Sequence, residues 1–147
     1  MEELSKTAPI GARIVQIAKI HRRWVAAELE KLGLYVGQEL LLMRLCRSEG
    51  LRQSTLAEGL GIEPPTVHRM LARLGAAGFV ERRPDPNDAR ASLTYLTPRG
   101  RETCARIREI WREADVRLRE VLSSDDAADL ERLLHTLARR LVDTRTL

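Results

Sequence analysis

Arg69, Arg73, Arg82, Arg83 and Arg90 crowd one stretch of this chain, His68 stands among them, and no acidic residue occurs from Pro64 to Val80. A guanidinium is a planar, permanently charged fork of donors that matches a phosphate or the edge of a guanine. Carried on an exposed helix and then on a hairpin, such groups can read one groove of a DNA duplex and reach into the next. An arginine-bearing helix alone is equally well explained as a solvated face. The hairpin arginine is what favours a nucleic acid.

The elements that would position these groups follow from spacing. Within Pro64 to Gly75, Val67, Met70, Leu71 and Leu74 share one face at about 100° per residue. The opposite face is left to Pro65 and Arg69, flanked by Thr66, His68 and Arg73. Pro64 and Pro65 suit a first helical turn, and Gly78 suits the stop. The preceding segment, Gln53 to Leu60, turns Leu56, Ala57 and Leu60 inward. Ala57 lets a second helix cross closely and Gly61 permits a positive-φ turn, so a helix-turn-helix is predicted. The N-terminal part of such a second helix meets base edges, which makes Arg69 and His68 the direct-readout candidates beside Pro65 and Thr66, with Arg73 against phosphate.

A hairpin should follow: a strand near Phe79 to Arg83, a turn through Pro84, Asp85, Pro86, Asn87 and Asp88, and a return strand near Ser92 to Leu96. Arg82 and Arg83 would lie along the ascending strand toward the DNA backbone. Arg90 leaves the turn just after Asp88, whose carboxylate is expected to hold the guanidinium extended, a pose suited to a narrow minor groove.

Around this module lie longer helical patterns. Ile10 to Leu32 reads as a helix stopped by Gly33, and Gln38 to Cys46 is apolar on most sides and belongs in the middle of the fold. Thr97-Pro98 opens a helix reaching about Val121, and Ser123-Ser124-Asp125-Asp126 opens a last one carrying Leu130, Leu133, Leu134, Leu137 and Leu141. The terminal helices hold more Leu, Ile and Trp than one small helix-turn-helix could cover, which calls for a second copy of the chain.

Composition narrows the class further. At 147 residues the chain is one domain by length. Its formal charge is +4, with 22 arginines against Lys6, Lys19 and Lys31, a bias that a GC-rich coding sequence would also produce. No run is long and apolar enough to span a membrane and no signal segment is evident, so the reducing cytoplasm is expected. Cys46 and Cys104 lie far apart in sequence within helical patterns, read as structural thiols. His21, His68 and His135 form no ligand cluster with them, so no metal and no cofactor are expected. No phosphate loop or nucleophile–base pattern suggests an enzyme.

With these residues in view, the chain resembles the MarR family of bacterial winged helix-turn-helix transcription factors. The resemblance rests on Gly33-Leu34 with Gln38 and Leu41; Leu51 with Leu56-Ala57; Gly61-Ile62 with Thr66-Val67; and Arg73-Leu74. It continues through Gly78 to Arg82, Asp85 to Ala91, and Leu96-Thr97-Pro98-Arg99-Gly100. The family usually shows a second arginine where Ala89 stands, while the Asp88-x-Arg90 core is kept. The resemblance implies a mainly α fold with a small β-hairpin wing. Residues 8–34 and 98–147 would form a dimerisation domain and 35–97 the DNA-binding module. It further implies an obligate homodimer on a pseudo-palindromic operator of double-stranded DNA, acting mostly as a repressor released by a small aromatic or anionic effector. An effector pocket would be bordered by the first helix, the Leu34 to Cys46 region and the helix after Pro98, with His21, Trp24, Tyr35 and Trp111 as lining residues. Two alternatives stand beside this: a cysteine-based redox-sensing regulator, and a winged-helix protein-interaction adaptor. The adaptor would want an acidic or apolar recognition face, which Pro64 to Val80 does not offer.

Overall fold

The computed structural model describes residues 2–143. In chain order the elements are α1 (Glu2–Thr7), α2 (Pro9–Lys31), α3 (Gln38–Arg47), α4 (Gln53–Leu60), α5 (Pro64–Ala76), β1 (Val80–Asp85), β2 (Asp88–Leu96), α6 (Pro98–Arg119) and α7 (Ser124–Asp143). The mainly helical fold with a hairpin wing is thus as expected, while α1 was not anticipated. Two compact units divide inside α6, one ending at Trp111 and the other beginning at Arg112. The last stretch of the expected C-terminal dimerisation segment, 144–147, lies outside the described residues.

Helices α3, α4 and α5 meet around one apolar core. Leu41, Leu42 and Leu45 of α3, Leu56 of α4 and Val67 and Leu74 of α5 are completely or almost completely buried, together with Phe79, Leu96 and Ile107. Each such side chain contributes roughly 1.5–3 kcal/mol by leaving water. Leu40 remains 42% exposed, so α3 is central without being buried on every side. Two of its own polar groups fix its start: Gln38 Oε1 accepts the Tyr35 N–H at 2.8 Å and Glu39 Oε2 accepts the Gly37 N–H at 2.5 Å. The turn between α4 and α5 uses Gly61 at φ 62°, a left-handed conformation in which a Cβ would be strained.

The hairpin is longer than its sequence suggests. Pairing runs from Val80–Leu96 through Pro84–Ser92 to Asp85–Asp88, with an irregularity at Pro84/Asp85. The turn therefore narrows to Pro86 and Asn87, and the strands extend past the predicted boundaries. The cause is local: Asp85 Oδ1 accepts the Asn87 N–H at 2.9 Å and closes the turn, while the irregularity accommodates a proline that cannot donate to the ladder. A further bridge, Thr94 N–H to Leu51 O at 2.9 Å and Leu51 N–H to Thr94 O at 3.3 Å, ties the approach to α4 onto the wing.

Thr97 joins the wing to α6. Its hydroxyl caps the helix by accepting the Gly100 N–H at 3.1 Å and sits 2.6 Å from the Gly78 carbonyl. A Cβ at Gly100 would fall 2.1 Å from the Phe79 carbonyl oxygen, so only glycine permits this approach. In the second unit, Ser123 caps α7 through the Asp126 N–H at 3.1 Å, as expected from the sequence.

Candidate nucleic-acid interface

Helix α5 buries Val67, Leu71 and Leu74 and half-buries Met70, leaving Pro65, His68, Arg69 and Arg73 exposed and Thr66 half-buried. The outward face is the one the apolar spacing requires. No acidic residue sits in its first turn, but Glu63 stands at the N-cap, so the guanidiniums along the outer face are what favour anions. Arg69 Nη2 lies 3.4 Å from Thr66 Oγ1, and the Arg73 guanidinium stands 5.7 Å from the Tyr35 ring centre.

A residue that sequence reasoning did not single out connects this helix to the wing. Gln53, the first residue of α4, donates from Nε2 to the Pro64 carbonyl at 3.3 Å. Its Oε1 accepts from Arg82 Nη2 at 3.4 Å and faces His68 Nδ1 at 3.3 Å. Helix, preceding helix and wing are thus joined through one amide.

Arg82 and Arg83 do not act together as expected. Strand alternation sends them to opposite faces of the hairpin. Arg82 turns toward α4, whereas Arg83 bonds Glu81 through Nε at 2.9 Å and covers the Tyr95 ring at 4.5 Å. Asp88 also departs from expectation. Its Oδ1 accepts the backbone N–H of Arg90 at 3.1 Å, and its Oδ2 lies 3.5 Å from Arg52 Nη2, so the carboxylate holds Arg90 by the main chain and leaves the guanidinium exposed. Behind the tip, buried Asp85 takes hydrogen bonds from Asn87 and Arg52, in that order of effect, which hold its carboxyl below the usual range.

Of the predicted effector residues, two meet each other and a third lines a cleft elsewhere. His21 and Trp111 meet in a tilted ring contact, centres 5.2 Å apart and planes inclined by 59°, and Trp24 is half-buried on α2. Tyr35 alone lines the cleft, a cavity of about 330 Å³ between Tyr35, Val36 and Gln38 on one side and Thr66, Arg69, Met70 and Arg73 on the other. The contact between His21 of α2 and Trp111 of α6, invisible in sequence, accounts for the difference. Among the described residues no cluster of three or more His, Cys, Asp or Glu could hold a metal ion, and no helix is long and apolar enough to cross a membrane.

Comparison with known proteins finds relatives in sequence and in fold. A sequence model described as the MarR family matches residues 34–92, which contain the whole candidate interface. The HTH-type transcriptional repressor Rv2887 of Mycobacterium tuberculosis is 30% identical over 134 residues, spanning 91% of this chain and 96% of the relative. Its crystal structure, described as that of a MarR family protein, superposes with a TM-score of 0.74 over 92% of this chain and 98% of that one. A mutant MarR from Escherichia coli, crystallised with operator DNA, superposes with a TM-score of 0.80 at 27% identity, covering 91% of this chain and 96% of the other.

Proposed function

The chain belongs to the MarR family of DNA-binding transcriptional regulators, and from that premise we propose that it works as a homodimeric repressor of the cytoplasm, with no catalytic activity of its own. The acid-free outer face of α5 carries this reading. Arg69 and His68 read base edges in the major groove beside Pro65 and Thr66, Arg73 and Arg82 meet phosphate, and Arg90 enters the adjoining minor groove. Arg83, engaged on the far face of the hairpin, is left out of the contact set, and Asp88 serves by fixing the tip.

Exposed apolar side chains on each compact unit support a partner copy. Ile10, Ile14 and Ile17 on α2 are 43–73% exposed, and Leu130, Leu133, Leu134, Leu137 and Leu141 on α7 are 37–59% exposed. Faces of that kind are normally covered. Residues 8–34 and 98–147 would supply the dimer contacts and 35–97 the DNA contacts, with recognition helices about 34 Å apart across a two-fold axis.

An effector is proposed at the Tyr35–Arg73 cleft. Two guanidiniums beside Met70 and an aromatic ring suit a small aromatic carboxylate, and occupying Arg69 and Arg73 there would withdraw them from DNA. Selection of random duplexes by the purified protein, with sedimentation to give its mass, tests the whole reading. A palindromic site with half-sites one helical turn apart is expected, and added benzoate should release it. A monomer, or indifference to duplex sequence at moderate salt, would overturn it.

A further inference from the structure

The Gln53 amide ends in one donor and one acceptor, and two neighbours of fixed polarity decide which way it points. The Pro64 carbonyl can only accept, and Nε2 meets it at 3.3 Å; the Arg82 guanidinium can only donate, and its Nη2 meets Oε1 at 3.4 Å. Both contacts call for the same orientation. The oxygen so placed also lies 3.3 Å from Nδ1 of His68, a ring whose polarity is set by what surrounds it. A lone pair on Nδ1 would oppose a lone pair of the amide oxygen there, whereas an N–H would point into it. His68 is exposed on the outer face of α5, and its Nε2 has no hydrogen-bond partner among the described residues.

We propose that Gln53 is a positioning residue that holds neutral His68 with its proton on Nδ1, so that Nε2 enters the major groove as an acceptor and selects the exocyclic amine of an adenine or a cytosine. This rests on α5 being the recognition helix, and it gives His68 and Arg69 opposite tasks. In the major groove adenine N6 and cytosine N4 carry the donors, while guanine N7 and O6 and thymine O4 only accept. An acceptor at Nε2 is satisfied by the amines and repelled by the other edges, and a phosphate oxygen suits it no better. Arg69 has only donors and favours guanine. The opposite tautomer would present an N–H at Nε2, giving His68 the same preference as the arginines around it.

Ring nitrogen-15 NMR shifts of the full-length protein report the proton directly, without DNA, at about pH 8, above the ordinary imidazole range. The His68 signals are those missing in His68→Ala. Nδ1 should carry the proton in the wild type, and Gln53→Ala should move much of it to Nε2. In a selection of random duplexes, His68→Ala should flatten one position in each half-site. Purine in place of adenine there, or 2-pyrimidinone in place of cytosine, removes only the amine. That change should weaken wild-type binding several-fold, leave His68→Ala no worse, and cost Gln53→Ala much less than the wild type. A proton on Nε2 in the wild type, or a ring unchanged in Gln53→Ala, would overturn the positioning role. No flattened position, or an amine whose removal the wild type tolerates, would overturn the base preference. Uniform loss on every duplex in Gln53→Ala would mark the amide as merely structural. A wild type indifferent to duplex sequence would fail the recognition-helix reading, and the base preference with it, whatever the ring shifts of the free protein show.

Discussion

Arg52 directs two donors, Nε at 3.0 Å and Nη2 at 2.5 Å, onto one carboxylate oxygen of Asp85, 33 residues later in the chain. Arg52 precedes α4 and Asp85 closes the wing turn, so the pair tethers the hairpin tip to the helix-turn-helix. Much of the arginine remains in solvent, and such pairs contribute little to global stability. Asp85→Asn is therefore expected to lower the unfolding midpoint only slightly at neutral pH, speed amide exchange across residues 86–91, and weaken specific operator binding. The substitution removes a negative charge, so simple electrostatics predicts tighter binding. Gel-shift titrations that show tighter or equal binding would count against the tether.

Arg69 and Arg90 should fail in different ways. Loss of a base-reading guanidinium costs about 1–3 kcal/mol and depends on the base pair opposite. Arg69→Ala should thus flatten preference at one position in each half-site. Arg90→Ala should lower the slope of log affinity against log salt by about one and relax preference for A·T pairs flanking the half-sites. Equal losses on all duplexes for Arg69→Ala would reassign it to phosphate.

Gly100 lets the first turn of α6 lie against the wing. The added methyl of Gly100→Ala would press on main chain, which cannot swing aside as a flexible side chain would. A loss of about 1–3 kcal/mol or more in urea unfolding is expected, with operator binding falling in step with the folded fraction. Wild-type stability in this variant would show that the Thr97–Gly100 junction gives way easily.

Local grammar explains which parts were legible beforehand. Val67, Leu71 and Leu74 at helical spacing define the buried side of α5 and hence its outward arginines, and Thr97 and Ser123 behave as caps because their hydroxyls need only neighbours three residues on. What escaped depends on tertiary contact. Gln53 reaches residues 15 and 29 positions away, and Arg52 takes the partner that sequence proximity had assigned to Arg90. The hairpin ends were misjudged for a related reason, since Pro84 reads as a strand breaker until the irregularity at Pro84/Asp85 is seen. His21 turned to Trp111 because α6 folds back onto residues distant in the chain.

Two carboxyls should tilt stability in opposite directions with pH. Burial raises Glu39, outweighing hydrogen bonds from its own N–H and that of Gly37 and the charge of Arg22. Its protonated form is favoured by folding, so the stability it lends is complete below the unfolded carboxyl value of about 4 and is lost as pH rises through the higher folded value. Asp85 is lowered, so its contribution is complete above that unfolded value and is lost as pH falls through the folded one. Urea midpoints measured from about pH 3 to 8 separate the two. Glu39→Gln, which keeps an acceptor for the Gly37 N–H, should gain on the wild type as pH rises above the ordinary carboxylate range. Asp85→Asn should draw level with the wild type at the acid end and fall behind above it. Parallel curves for wild type and Glu39→Gln at every pH would mean that Glu39 is no more costly to ionise in the fold than in the unfolded chain.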